Sequence, residues 1–320
     1  MRIALWDIAR TLEGRLRQQL APGDTIVEVP AAPEKPVDVD VVIASRFGTA
    51  DTGRARFRLL QVPGAGIDKI VLDAVPRDAI VCNAYGHEQP ISEYCFAAML
   101  DHATTFGELI RHIPERGWGG AYFSRTPHGE LAGKTLGLLG LGHIGAAVAK
   151  RARAFDMRVM AVTGSRRASA PPDVDWIGTA DRLAEVLAAA DYLVIACPLN
   201  DATRGMLGMK QFRQMKPSAL IVNVARGEIA VEEDLFAALK AGVIGGAVLD
   251  AWYRYPASAT DPVTPSRFPF GELANVRMTA HSAAWTDGVW ERRCAFFVEN
   301  IARLKAGKPL LNLVREPRSE

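Results

Sequence analysis

Short runs rich in Val, Ile and Leu alternate with stretches of helical period along the whole chain. That alternation predicts parallel strands joined by crossover helices, an α/β fold. A first series of strands reads "RIALWD" (2–7), "TIVEV" (25–29), "VVIAS" (41–45), "LLQV" (59–62) and "IVCNA" (80–84). A second series reads "TLGLLG" (135–140), "RVMAV" (158–162), "YLVIAC" (192–197), "LIVNVA" (220–225), "GAVLDAW" (246–252) and "VRMTA" (276–280). The second set matches a doubly wound sheet, with one long apolar-rich helix over 91–113 between the two series. The stretch "RGWGGAYFSRTPHGELAGK" reads as a surface loop, because Gly, Pro and Ser punctuate it. The amphipathic tail 288–307 ends in Gly and reads as a final packing helix.

Composition narrows what such a protein does. The 320 residues are 49% hydrophobic, enough for two domains with separate cores. Lys and Arg number 38 against 36 Asp and Glu, a formal charge of +2. No like-charge run marks a nucleic-acid arm or a membrane-binding patch, so the expected partner is a small molecule. The opening "MRIALWDIAR" carries charges where a signal peptide would be apolar, and no apolar run reaches the length of a membrane span, so a cytoplasmic protein is expected. Cys82, Cys95, Cys197 and Cys294 are dispersed without ligand spacing. They read as buried thiols, and no metal site is expected.

The segment "LGLLGLGHIGAAVAKRARAF" places Gly140, Gly142 and Gly145 as G-x-G-x-x-G between an apolar strand and an Ala-rich helix. Gly140 permits the turn, Gly142 lets backbone approach a pyrophosphate, and Gly145 lets helix and strand pack closely. The helix start, with His143 and Ile144, offers N–H groups to the anion. The next strand ends in "MAVTGSRR", so Thr163 stands where an NAD site carries a carboxylate. Ser165, Arg166 and Arg167 instead offer a hydroxyl and two guanidiniums, which suit the 2′-phosphate of NADP. NADP is therefore expected over NAD, against the plainer reading of a solvated basic loop.

Ligands of open α/β sheets sit beyond the carboxyl ends of the strands. Arg226, Asp250 and His281 each follow a strand. An Arg there clamps a carboxylate and polarises a carbonyl oxygen, and a His moves the proton that accompanies hydride transfer to a ketone. Singly, each has an ordinary reading as a surface contact, a loop cap or a satisfied histidine. Together with the cofactor motif they describe 2-keto acid reduction.

The motifs "GLGHIG", "NVARGEIAVEEDLFAAL", "GAVLDAW" and "AHSA" resemble, in order and spacing over nearly the whole chain, those of the D-isomer-specific 2-hydroxyacid dehydrogenases. The resemblance implies a Rossmann cofactor domain over 99–283 and a flavodoxin-like substrate domain built from 1–98 and 284–320. It implies a cleft that closes on ligand and a homodimer built on the cofactor domain. "LLQVPGAGIDKI" resembles the family's carboxylate-binding loop, which assigns Ala65 and Gly66 as backbone donors, Arg226 as clamp and His281 as acid/base. Pro198 and Thr203 resemble the nicotinamide-side loop, Ala225 precedes the clamp, and Asp250 resembles the residue facing the carboxamide. His87 and Glu88 lie in a loop that by resemblance borders the substrate, with Glu88 a candidate substitute carboxylate. Trp285 reads as a wall over the substrate or as packing, and its bulk favours a short acid such as glyoxylate or hydroxypyruvate.

One position departs from the family. Most members carry a glutamate five residues after the aspartate, and this chain has Tyr255 before Pro256. A carboxylate there favours imidazolium by about 1–3 pKa units, whereas a neutral phenol orients the ring without adding charge. The expectation is a reductase whose activity is displaced to lower pH, with Tyr255 orienting His281. Two alternatives stand beside it: a formate dehydrogenase-like hydride transfer, because those relatives also replace the glutamate with a neutral residue, and a nucleotide-responsive binding protein without turnover.

Overall fold

The computed structural model describes residues 1–317, apart from the side chain of Ile8. The chain opens with β1 (Arg2–Leu5), α1 (Glu13–Gln19), β2 (Thr25–Val27), β3 (Val37–Asp38), β4 (Val41–Ile43), β5 (Ala55–Arg56), β6 (Leu59–Gln61) and β7 (Ile80–Cys82). It continues through α2 (Glu88–Thr104), α3 (Phe106–Phe123), β8 (Thr135–Leu139), α4 (His143–Ala154), β9 (Arg158–Thr163), β10 (Trp176–Thr179) and α5 (Leu183–Ala189). Next come β11 (Tyr192–Ile195), α6 (Met209–Phe212), β12 (Leu220–Asn223), α7 (Glu232–Lys240), β13 (Gly246–Leu249) and β14 (Val276–Met278). The last elements are α8 (Asp287–Lys305) and β15 (Leu313–Arg315). Among the described residues no helix is long and apolar enough to cross a membrane.

The chain forms two compact units, one of Met1–Gly86 with the segment from Trp285 onward, the other His87–Ala284. The first boundary falls at 86/87, not at the expected 98/99, because the whole of α2 packs on α4 and β12 in the second unit.

The sheet of the first unit runs β15-β7-β6-β4-β1-β2. Apart from the small β3–β5 pair and the antiparallel β15, this is the 2-1-3-4-5 order of a flavodoxin-like sheet. Alternate residues feed opposite faces. Ile3, Val41, Ile43 and Leu59 pack with Leu16, Phe297, Ile301 and Leu304 under α1 and α8, and Ala4, Val42, Leu60 and Val81 meet Trp6, Phe47 and Phe57 on the other side. The sequence pattern does not reveal β15. Its Arg315 is a buried cation that donates to the carbonyls of Leu72, Pro76 and Ala79, which ties the chain end to the loop before β7.

The second unit has a fully parallel seven-stranded sheet, β10-β9-β8-β11-β12-β13-β14. Counted within the unit, the order is that of a Rossmann sheet with a seventh strand added. Six of its strands are those expected. The extra one, β10, lies half-buried at the edge, so it lacks the apolar run that marks the others. Helices cover both faces, α5–α7 over Leu193, Ile195 and Ile221, and α2 with α4 over Leu136, Leu138 and Val222.

The expected single helix over 91–113 is two helices, broken at Thr105, whose φ of 48° lies in the left-handed region. The expected loop from 116 begins as helix: α3 continues to Phe123 past a kink at Gly117 (φ 69°, ψ 168°). Four glycines and Pro114 mask the helical signal of a segment that nonetheless repeats apolar residues at helical spacing.

A buried polar pair ties α8 to the first sheet. Asn300, fully buried, donates to Gln61 Oε1 at 2.9 Å and to the Leu311 carbonyl, and accepts from the Leu311 N–H at 2.9 Å. Gln61 donates in turn to the carbonyls of Val62, Cys82 and Asn83. Asn300→Leu removes these partners while leaving Gln61 Oε1 and the Leu311 backbone in the core. It is expected to destabilise the protein by about 2–4 kcal/mol, read as a lowered urea midpoint.

Candidate active site

The glycine-rich turn lies at the carboxyl end of β8, where the strand order of the second sheet reverses between β8 and β11. Gly140 has φ of 98°, and a Cβ on it would stand 2.7 Å from the Cys197 nitrogen. A Cβ on Gly145 would meet the Gly140 carbonyl oxygen at 2.2 Å. Both glycines are thus demanded by contact, and Gly140 by its conformation as well. Around Gly142 a Cβ would meet nothing within 4 Å, so the backbone there is open to a large anion. The start of α4 has no side-chain cap, and His143 and Gly142 are exposed. An uncapped N-terminus beside an open glycine fits a pyrophosphate.

The β9 end is organised by Thr163, a buried residue whose hydroxyl donates to the Ser165 carbonyl at 2.8 Å. Ser165, Arg166 and Arg167 are exposed beyond it. Arg167 donates from Nη2 to the Leu141 carbonyl at 2.8 Å, so its guanidinium is drawn across to the glycine-rich turn. Arg166 adds to the Thr179 hydroxyl in holding the exposed Asp181 below the usual carboxylate range, the hydroxyl being the larger influence. Pro198 and Thr203 share a self-tied loop after β11: Thr203 Oγ1 donates to the Pro198 carbonyl at 2.7 Å and accepts from the Asn200 N–H at 2.9 Å.

Three loops after β12, β13 and β14 meet. After β12, Asn223 donates to the Arg226 carbonyl and accepts from the Ala225 N–H, and Arg226 Nη1 donates to the Ala225 carbonyl. Gly227 seats this turn on the next loop, because a Cβ there would stand 2.6 Å from the carbonyl carbon of Trp252. The positive charge of Arg226 is consequently felt at Tyr255. Tyr255 lies within 2.9 Å of His281 Nδ1 through its hydroxyl and accepts from the Trp252 N–H at 3.1 Å. Burial, the larger effect, holds the phenol above its ordinary value against the opposing pull of the Trp252 N–H and Arg226, so Tyr255 stays protonated at neutral pH.

A phenol is a versatile partner for a histidine. Its oxygen accepts from an imidazolium Nδ1–H, and its hydrogen donates to a neutral Nδ1, so both protonation states keep the bond. A carboxylate only accepts, so it holds Nδ1 only while that nitrogen carries a proton, in the imidazolium or in the neutral Nδ1–H tautomer. Tyr255 therefore orients the ring in either state without adding negative charge.

His281 itself adopts φ of 55°, the left-handed region, at a non-glycine position. Such a residue costs about 1–3 kcal/mol and must be held by its surroundings. Asp250 supplies the hold. Its main-chain carbonyl accepts from the His281 N–H at 3.0 Å, and its carboxylate accepts from Ser282 N at 2.6 Å, from Ala283 N at 3.0 Å and from the Thr279 hydroxyl at 2.6 Å. The family resemblance implies that Asp250 faces the cofactor carboxamide. In the structure both carboxylate oxygens, on a residue 3% exposed, are engaged by the segment that carries His281.

The second unit thus brings together Arg226, Asp250, Tyr255 and His281. His87 is buried in the same unit, and Glu88 is the first residue of α2 instead of a loop residue. Ala65, Gly66 and Trp285 belong to the first unit. There the Ala65 carbonyl accepts from Asn83 Nδ2 at 2.9 Å and the Gly64 carbonyl from the Ala84 N–H, which pins the turn after β6 and leaves Gly66 exposed. Trp285 is 53% exposed and packs edge-on against Trp290. Sequence reasoning missed Thr279 and Tyr94, whose hydroxyls lie 2.6 Å apart, and Trp252, whose indole donates to the Thr279 carbonyl at 2.7 Å. The only signal for Thr279 was its place two residues before His281. Cys95 feels the Asp250 charge and is raised, by burial foremost, while burial pushes Cys82 up to about 12 and Cys197 up to about 11, so none of the three is a ready nucleophile.

Known proteins are similar to this chain over most of its length. Residues 96–283 match the family described as D-isomer specific 2-hydroxyacid dehydrogenase, NAD binding domain. A glyoxylate reductase of Korarchaeum cryptofilum is 30% identical over 286 residues, covering 88% of this chain and 80% of that protein. A D-3-phosphoglycerate dehydrogenase of Archaeoglobus fulgidus is 30% identical over 97% of this chain, which spans 56% of that longer protein. A crystal structure of a D-isomer specific 2-hydroxyacid dehydrogenase from Xanthobacter autotrophicus Py2, in complex with NADPH and MES, superposes with a TM-score of 0.78 at 26% identity, covering 98% of each chain.

The contact at Gly145 generates a direct test. Gly145→Ala must push α4 away from β8, because its Cβ falls 2.2 Å from a backbone oxygen. Dinucleotide affinity is expected to fall at least about tenfold, equivalent to about 1.4 kcal/mol, in a fluorescence titration.

Proposed function

This chain belongs to the D-isomer-specific 2-hydroxyacid dehydrogenase family, and we propose that it is an NADP-preferring reductase of a short 2-keto acid, glyoxylate or hydroxypyruvate. The observation that carries the reading is the pairing of His281 with Tyr255 beside the charge of Arg226, in the unit that holds the glycine-rich cradle.

The nicotinamide, when bound, supplies the hydride. Gly140, Gly142 and Gly145 with the start of α4 hold the pyrophosphate. Arg226 places a fixed cation where the substrate's carboxylate and carbonyl oxygen bear negative charge, and that charge grows on the carbonyl oxygen as it becomes an alkoxide. His281 delivers the proton to that oxygen from Nε2, while Tyr255 keeps hold of Nδ1 before and after the transfer. In the reverse direction the same nitrogen accepts the proton from the hydroxyl.

Support for NADP comes from Thr163 standing in place of a carboxylate, from exposed Ser165 and Arg166, and from Arg167 bent onto the Leu141 carbonyl. The Xanthobacter relative holds NADPH. The glyoxylate reductases among the relatives support a short substrate. We also assign a homodimer. Phe106, Ile110 and Ile113 repeat at helical spacing along α3, followed by Trp118 and Phe123, the last two 68% and 88% exposed. An apolar stripe of that kind fits a contact with a second copy. Unpaired cysteines fit a reducing, cytoplasmic setting.

The deciding experiment is the initial rate of NADPH and NADH oxidation with glyoxylate, hydroxypyruvate and larger 2-keto acids from mildly acidic to mildly alkaline pH. The expected result is kcat/KM at least about tenfold higher with NADPH, with rates that rise toward acid because only protonated His281 is the acid. Tight NADPH binding without turnover on any of these acids overturns the assignment. Tyr255→Glu tests the role of the phenol. A carboxylate at Nδ1 favours imidazolium, so the pH at which reductive kcat/KM falls is expected to move up by about 1–3 units, read from the pH–rate profile.

A further inference from the structure

We propose that Tyr94 and Thr279 are positioning residues for the acid/base imidazole, acting through the carboxylate of Asp250 on the turn that holds His281. The inference rests on the proposed role of His281 as proton donor and extends it to a helix that bears no other part of the chemistry.

Counting protons fixes the direction of the chain. An ionised carboxylate only accepts, so Thr279 must give its single hydroxyl proton to Asp250 Oδ1 across 2.6 Å. With that proton committed, the 2.6 Å contact between Tyr94 and Thr279 has one donor left, the Tyr94 phenol. The phenol is suited to the task. Burial foremost, and in part the Asp250 charge, hold it above its ordinary value, so it keeps its proton. The chain of donors therefore runs from Tyr94 in α2, through Thr279, to a carboxylate whose other contacts are the N–H groups of Ser282 and Ala283.

The geometry shows what this achieves. Thr279 lies at the end of β14, His281 two residues on, and Ser282 and Ala283 immediately after. Among the described residues, every hydrogen bond of the Asp250 carboxylate is thus with residues 279–283, bracketing the left-handed His281. Thr279 is fixed from two further sides, its carbonyl by the Trp252 indole at 2.7 Å and its N–H by the Leu249 carbonyl at 3.0 Å. Without the Thr279 proton Asp250 keeps only the two backbone donors. The carboxylate is then held by one backbone donor on each oxygen, and the turn loses its side-chain tie to the residue after β14. Trp252 connects this anchor to the other side of the ring, because its N–H also donates to the Tyr255 hydroxyl. The imidazole is thereby held from its backbone through Asp250 and from Nδ1 through Tyr255, and α2 reaches both through Thr279.

The test uses the full chain with NADPH and glyoxylate, and compares Tyr94→Phe, Thr279→Val and Thr279→Ser with His281→Ala. Because displacement by a fraction of an ångström is costly to proton and hydride transfer, kcat is expected to fall about 3–10-fold in Tyr94→Phe and about 10–100-fold in Thr279→Val. Thr279→Ser, which keeps the hydroxyl, is expected to return kcat to within about twofold of the parent, and NADPH affinity to stay within about twofold throughout. The 15N resonances of the His281 ring, followed through a pH titration, are expected to move in Tyr94→Phe. They give a readout that does not require turnover. Unchanged kcat, pH profile and ring resonances in both Tyr94→Phe and Thr279→Val overturn the proposal. Retained activity in His281→Ala overturns the acid/base reading instead, and the ring resonances then still report whether Tyr94 sets the geometry of that histidine.

Discussion

The buried carboxylate of Asp250 is the constraint on which the arrangement of the candidate site depends. Burying such a group is costly unless donors meet it, and here a hydroxyl and two main-chain N–H groups do so. Those same donors all come from residues 279–283, so satisfying the charge and shaping the turn are one event. The strained backbone of His281 is the result. Without the carboxylate there is no reason for the chain to remain left-handed at a residue with a Cβ, and the imidazole would relax away from Tyr255.

Close backbone contact plays the matching part elsewhere in the second unit. At Gly145 the first turn of α4 rests on the Gly140 carbonyl, and at Gly227 the Arg226 turn rests on the Trp252 main chain. In each case a missing side chain sets how near two loops approach, and therefore where the cofactor cradle and the Arg226 cation lie. Both contacts occur at the carboxyl ends of parallel strands. A doubly wound sheet collects its loops there, which is how the loops that begin at 140, 226, 250 and 281 come to one edge of the sheet.

Tyr255, where the resemblance implies a glutamate, meets the imidazole with a neutral phenol instead of a charge. The hydroxyl reaches His281 Nδ1 at 2.9 Å and is steadied by the Trp252 N–H. What the site gives up is a negative charge beside the imidazole; what it retains is orientation in both protonation states. The charges that act on Tyr255 are those of Arg226, Asp250 and Glu228.

Much of this was legible in the chain itself. Strand runs such as "LGLLG" and "LIVNVA" are continuous and apolar because both faces of a parallel sheet are covered, and the spacing of Gly140, Gly142 and Gly145 follows from the shape of a pyrophosphate. Arg226, Asp250 and His281 announced themselves as polar residues at strand ends. The sequence could not disclose β10, half-buried at an edge, nor the break at Thr105, where the helical repeat runs on while the backbone turns left-handed. Nor could it show that Asp250 faces the His281 turn, or that Tyr94, 185 residues from Thr279 along the chain, completes its hydrogen bonds. Local periodicity and short spacings determine elements and motifs, because their physics acts over one or two turns of chain. Which donor meets a buried carboxylate is settled only when distant loops close on it, and that is decided by the tertiary structure alone.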